Sequence, residues 1–138
     1  MTDKEVLSAY ERTGGVLKGH FLLTSGRHSD TYMQSAKLFV HPKEAEKIAA
    51  ALAEKLAPYK PDMIVSPAVG GIILGYELAR AMGVTDIFAE RENGEMTFRR
   101  GFALEKGSRV IVAEDVVTTG GSVKEVIALC RAHGAEVV

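Results

Sequence analysis

RVIVAEDVVTTGGSVKEVIALCRAHG, residues 109–134, reads as three pieces in succession. Residues 109–113 are an apolar run with strand character, and residues 114–122 begin with two acids and end in small, hydroxylated and glycine residues. A helix is predicted over residues 121–133, with apolar spacing from Val123 onward, and is stopped by Gly134. A strand, a loop and a helix in this order make part of a βαβ unit, and in open parallel sheets ligands bind beyond the carboxyl ends of the strands. The acid-to-glycine loop stands at that place.

The same alternation extends toward the N-terminus. Residues 63–65 read as a buried strand, residues 71–82 as a helix stopped by Gly83, and residues 86–89 as a second strand. Residues 90–107 form an excursion in which Asn93-Gly94 suits a hairpin turn with a return arm over residues 96–103. Pro42 opens an earlier helix with an apolar stripe of Ala45, Ile48, Ala49, Leu52 and Leu56, ended by Pro58 and Pro61. Ahead of it, Thr2 and Glu5 form a capping box for a helix carrying Val6, Leu7 and Tyr10, which Gly14-Gly15 stops. Residues 21–24 and 31–34 then read as two short strands of a small hairpin-like piece. The expected architecture is α/β: a parallel sheet flanked by helices, with a helix and hood in residues 1–40 and the core in residues 41–138 of a single domain. Residues 134–138, GAEVV, resemble a strand that has only begun, so the chain is expected to be part of a longer domain.

Composition narrows the function classes. With 138 residues, 46% hydrophobic and 25% charged, the chain fits one soluble globular domain. A net charge of −1 argues against broad nucleic-acid or anionic-membrane binding. The N-terminal segment lacks an apolar signal core and no run reaches membrane-spanning length, so a cytoplasmic protein is expected. The single Cys130 forms no intrachain disulfide and, inside a helix, reads as a buried structural thiol.

The chemistry of the loop follows from its residue types. Thr118, Thr119 and Ser122 supply hydroxyl donors, while Gly120 and Gly121 let the backbone close around an oxyanion. The helix start behind them adds unpaired N–H groups and partial positive charge. Glu114 and Asp115 would repel a bare phosphate, so they call for a cation or vicinal hydroxyls, and a sugar phosphate meets both needs. Acids at a strand end also serve simply as loop caps. A P-loop is excluded by the missing lysine, a dinucleotide fingerprint by Val69-Gly-Gly-Ile after the first core strand, and a structural zinc site by the His and Cys spacing.

Three separated motifs carry a family resemblance over the whole chain. VAEDVVTTGGS, residues 112–122, resembles the phosphoribosyl-pyrophosphate signature of the type I phosphoribosyltransferases. GHFLLTSGRHS, residues 19–29, together with YMQ, residues 32–34, is similar to the hood of the orotate phosphoribosyltransferases, and SPAVGGI, residues 66–72, to their pyrophosphate loop. The resemblance implies transfer of ribose 5-phosphate from phosphoribosyl pyrophosphate to orotate, with Mg²⁺ held mainly by donor and water rather than by protein ligands. It also implies a homodimer with shared active sites, and no nucleic-acid or membrane partner.

By the same resemblance Glu114 and Asp115 would hold the ribose hydroxyls. Val116, Val117, Thr118, Thr119, Gly120, Gly121 and Ser122 would bind the rest of the donor's 5′-phosphate side, and Val69 and Gly70 its pyrophosphate. Thr118, Tyr32 and Met33 would meet orotate. The excursion stands where the family has a mobile catalytic loop, and Arg91, Arg99 and Arg100 would clamp the leaving pyrophosphate, since guanidinium forks match phosphate oxygens. A solvated charged hairpin is the other reading of that segment. Family members often carry a lysine where Thr24 stands and another near Gly70, so here the arginines would supply those contacts. The family's orotate-binding arginine would lie beyond Val138. A phosphoribosyltransferase for another base, such as a purine, and a non-catalytic binder of the donor remain open alternatives.

Overall fold

Helix α1 (Asp3–Arg12) starts as its sequence dictates in the computed structural model, which describes residues 1–23 and 25–138. Thr2 Oγ1 accepts from the Glu5 N–H at 3.3 Å, and Glu5 Oε2 accepts from the Thr2 N–H at 2.6 Å. The helix buries Ala9 rather than Leu7, which stays 45% exposed, so its packed face is rotated from the expected one. Strands β1 (Val16–Leu22) and β2 (His28–Met33) pair antiparallel as a separate two-stranded sheet. They are longer than expected because β2 alternates exposed and half-buried residues that are mostly polar, a pattern an apolar count does not register. Thr24, the expected end of the first of these strands, lies outside the described residues. A short helix α2 (Ser35–Phe39), not expected, then buries Ser35, Leu38 and Phe39.

The core alternates as read. Helix α3 (Pro42–Leu56) ends in a single 3-10 turn, followed by β3 (Met63–Pro67) and α4 (Gly71–Met82). Then come β4 (Thr85–Glu92), β5 (Glu95–Thr97), β6 (Arg109–Val112), α5 (Gly121–Ala132) and β7 (Glu136–Val137). Asn93 and Gly94 turn with φ of 53° and 81°, the left-handed pair a two-residue hairpin requires. The return arm pairs over only three residues, after which Phe98, Phe102 and Leu104 fold back onto the core.

The five strands lie in the order β5-β4-β3-β6-β7. β3 is parallel to both β4 and β6, and β7 is parallel to β6, while β5 adds an antiparallel edge. Adjacent residues of each strand feed opposite layers, as the period of two demands. Val65 and Val110 pack with Val126 and Cys130 of α5, while Ile64 and Ile111 pack with Leu78 and Ala79 of α4 and the stripe of α3. Ile64, Val65 and Val110 are fully buried, each worth about 1.5–3 kcal/mol relative to exposure. Burial also pushes the Cys130 thiol up to about 11, so it is an inert packing residue rather than a nucleophile. Among the described residues, no helix is long and apolar enough to cross a membrane.

Candidate functional site

The chain runs outward from β3 to β4 on one side and then crosses back to β6 on the other, so the sheet reverses its winding between β3 and β6. Such a switch point opens a crevice at the carboxyl ends of the two strands. Their loops, residues 68–70 and 113–120, leave from the same level: Val65 pairs with Val112, and the Ala113 N–H donates to the Val65 carbonyl at 2.9 Å. Each loop runs into a helix without a side-chain cap, Gly70 preceding α4 and Gly120 preceding α5. Two sets of first-turn N–H groups therefore face the crevice from neighbouring strands.

Glycine lets the loops meet. A β-carbon on Gly71 would stand 3.0 Å from the Ala113 carbonyl oxygen, and one on Gly70 would stand 2.8 Å from Asp115 Oδ1. Gly120 has φ of 81°, a conformation costing an L-residue about 1–2 kcal/mol. The Ala68–Val69 peptide is cis, and Val69 is 83% exposed at the loop tip.

The two acids face different neighbours. Asp115 lies against Gly70, and its Oδ1 accepts from the Val116 N–H at 2.9 Å. Its carbonyl receives Ser35 Oγ at 3.5 Å, and that hydroxyl also bonds Tyr10 Oη at 2.7 Å, tying the N-terminal segment to the site. Glu114 lines a cavity of about 260 Å³ that the residues from Val116 to Ser122 enclose. Burial, with the neighbouring Asp115 hydrogen bond and charge behind it, raises the Glu114 carboxyl to about 7. Three much larger clefts, about 690, 660 and 640 Å³, run along the outer face of α5 and beside α3, and neither strand-end loop lines them.

The three arginines separate. Arg91 lines the 260 Å³ cavity, with Nη1 2.7 Å from Glu125 Oε2 of α5 and 3.0 Å from the Gly94 carbonyl. Arg100 forks onto Glu90 at 2.7 and 3.0 Å and sits 5.6 Å from the Phe88 ring. Arg99 approaches Glu92 at 3.9 Å. Neither Arg99 nor Arg100 lines the cavity. Strand parity explains the split: Phe88 and Glu90 share one face of β4, while Arg91 points with Ala89 toward α5. Tyr32 packs on Phe21 with ring centres 5.6 Å apart, and Tyr32 and Met33 belong to β2, outside the cavity lining. Glu125 and Ser35 are the site neighbours that sequence reasoning missed. Glu125 was legible, because one helical turn after Gly121 returns to the loop's side of α5.

A glycine-lined loop at a switch point, with one acid lining its cavity and another against the adjacent loop, defines an α/β domain with a crevice at the carboxyl ends of β3 and β6. A profile of the phosphoribosyl transferase domain matches residues 35–138. Orotate phosphoribosyltransferase of Caldanaerobacter subterraneus subsp. tengcongensis is 55% identical over the full chain, which spans 73% of that relative. The UMP synthase of Leishmania donovani superposes with a TM-score of 0.85 at 28% identity, over 100% of this chain and 30% of that one. Orotate phosphoribosyltransferase from Aeropyrum pernix superposes with a TM-score of 0.75 at 25% identity, over 96% of this chain and 76% of its own. The chain belongs to the phosphoribosyl transferase family and, within it, groups with the orotate phosphoribosyltransferases.

Proposed function

We propose that the chain transfers ribose 5-phosphate from phosphoribosyl pyrophosphate to orotate, giving orotidine 5′-phosphate and pyrophosphate. The observation that carries this reading is the cradle of Thr118 to Ser122 at the β3/β6 switch point, with Glu114 inside it and Asp115 against Gly70. The cradle and the α5 N-terminus hold the 5′-phosphate. Glu114 and Asp115 accept hydrogen bonds from the ribose hydroxyls, and the backbone of residues 68–71 meets the pyrophosphate. The C1′–oxygen bond breaks with its electron pair leaving on pyrophosphate, and N1 of orotate bonds to C1′ as its proton passes to the released pyrophosphate or to water. Positive charge develops on the ribose in between, which the two carboxylates favour, so positioning and electrostatics suffice without a protein nucleophile.

Mg²⁺ would be held mainly by donor and water oxygens, beside the two carboxylates rather than ligated by them. When bound, the ion neutralises charge on the leaving pyrophosphate. Arg91 adds a cation beside the cradle. The chain acts in the cytoplasm as a homodimer, with the β4–β5 excursion reaching toward the partner's site. The test is pyrophosphate release from phosphoribosyl pyrophosphate and Mg²⁺ with orotate, uracil, adenine or hypoxanthine as acceptor. Turnover with orotate alone is the expected result. Turnover only with a purine would replace the acceptor, and donor binding without any turnover would make the chain a non-catalytic binder.

A further inference from the structure

Glu125 is, with Glu114, one of two carboxylates in the wall of a cavity whose loop hydroxyls, helix start and Arg91 favour an anion. It sits in the first turns of α5, close behind Gly121, and shares the cavity with Thr118 and Ser122. Its Oε2 lies 2.7 Å from Arg91 Nη1, so the one arginine that reaches the cradle is already engaged. Glu125 lies beyond the first turn of α5, so what it shares with an incoming phosphoryl group is the Arg91 guanidinium rather than the helix end. The pair is cheap to open, because both side chains are 45% exposed and exposed ion pairs are weak. Arg91 is also anchored to the Gly94 carbonyl at 3.0 Å, so its guanidinium keeps its place at the rim when the carboxylate moves.

We infer that Glu125 is a competitor built into the phosphate site: it occupies the Arg91 guanidinium in the free chain and is displaced from it by the incoming phosphoryl group. This rests on the cradle being the donor's 5′-phosphate site. The exchange swaps one anion for another on a fixed guanidinium, and a bound phosphate leaves Glu125 beside it as a repelling charge that aids release.

Calorimetric titration of the full chain with ribose 5-phosphate, and with inorganic phosphate, at low ionic strength tests it. Glu125→Gln should tighten ribose 5-phosphate about two- to fivefold, the opposite sign from losing a purely structural ion pair. Arg91→Gln should weaken it, and the gain from Glu125→Gln should shrink when Arg91 is already Gln. In turnover, Glu125→Gln should lower the donor KM without raising kcat. A Glu125→Gln variant that binds no tighter, or whose gain is the same size in both backgrounds, overturns the inference. Gly120→Val separates the two readings. If it abolishes ribose 5-phosphate binding while Glu125→Gln changes nothing, the donor site stands and the role of Glu125 falls. If Gly120→Val leaves binding intact, the donor-site reading falls, and the inference with it.

Discussion

Gly70 and Asp115 touch across the two strand-end loops so closely that a β-carbon on Gly70 would lie 2.8 Å from Asp115 Oδ1 and 3.2 Å from its Cγ. Gly70 has φ of −60°, a conformation alanine adopts freely, so a methyl there acts on the acid rather than on the backbone. Gly70→Ala should leave the fold cooperative while lowering kcat/KM for the donor by about tenfold or more, since small displacements of positioned groups are expensive. Steady-state kinetics beside a melting curve check this, and an unchanged kcat/KM would mean that Asp115 needs no such freedom. Asp115→Asn, which keeps the shape and removes the charge, should likewise cut turnover strongly without unfolding the chain.

Glu114 gives a pH signature. Its carboxyl is raised from 4.5 to about 7, so the folded state favours the protonated form. The associated stability is fully present below about pH 4.5 and is lost as the pH climbs through about 7. Allowing for its partial exposure, the effect is about 1–2 kcal/mol. Glu114→Gln keeps a hydrogen-bonding side chain and cannot ionise. The difference in denaturant stability between wild type and this variant should therefore shift in favour of the variant between pH 5 and pH 8. A difference that does not vary with pH would contradict the assignment.

Asp86 supplies a second, separable titration. It faces α4 at Gly75, where a β-carbon would stand 2.7 Å from Ser66 Oγ and 3.0 Å from Asp86 Oδ1, and among the described residues neither oxygen has a hydrogen-bond partner. Desolvation alone raises its carboxyl from 3.8 to about 6. The protonated acid is favoured in the fold, so this contribution is present below about pH 3.8 and disappears as the pH rises through about 6. Asp86→Asn should stabilise the chain at pH 7–8 by about 1 kcal/mol after discounting for partial exposure, and should leave it unchanged near pH 3.5. Equal melting temperatures at pH 8 would refute this.

The core elements were legible because their signals are local. Helix α4 runs from Gly71 to Met82 as its spacing and Gly83 require, and Asn93-Gly94 turns where the dipeptide requires. The acid-to-glycine loop was legible for the same reason, since strand, loop and helix follow one another. What stayed hidden depends on partners remote in sequence. β4 extends through the charged residues 90–92 because β5 supplies its edge hydrogen bonds, not because those residues are apolar. Helix α2 has five residues, too few for a helical period to show. Arg91, Arg99 and Arg100 look equivalent along the chain, and only the pairing of β4 with β5 and the packing of α5 send one of them to the cradle.

That separation predicts unequal consequences. Arg91→Gln should weaken donor binding several-fold, as loss of a charge-assisted contact does. Arg100→Gln removes an exposed fork onto Glu90 and should move the melting temperature by no more than about 2 °C, with the donor KM unchanged. Parallel measurement of KM and melting temperature for the two variants distinguishes this from a shared pyrophosphate clamp, in which both would raise KM alike.

Because the winding of the sheet reverses between β3 and β6, the two halves of the crevice come from crossover units that are not consecutive along the chain. Neither half can form a binding site until the excursion through β4 and β5 has folded and β6 has docked against β3. A ligand gripping both loops therefore acts as a staple between distant parts of the polypeptide, and its grip belongs to the folded whole alone. By mass action, ligand at a hundred times its Kd would add about 2.7 kcal/mol to the free energy of unfolding. Ligand supply and the equilibrium stability of the folded chain would then be coupled.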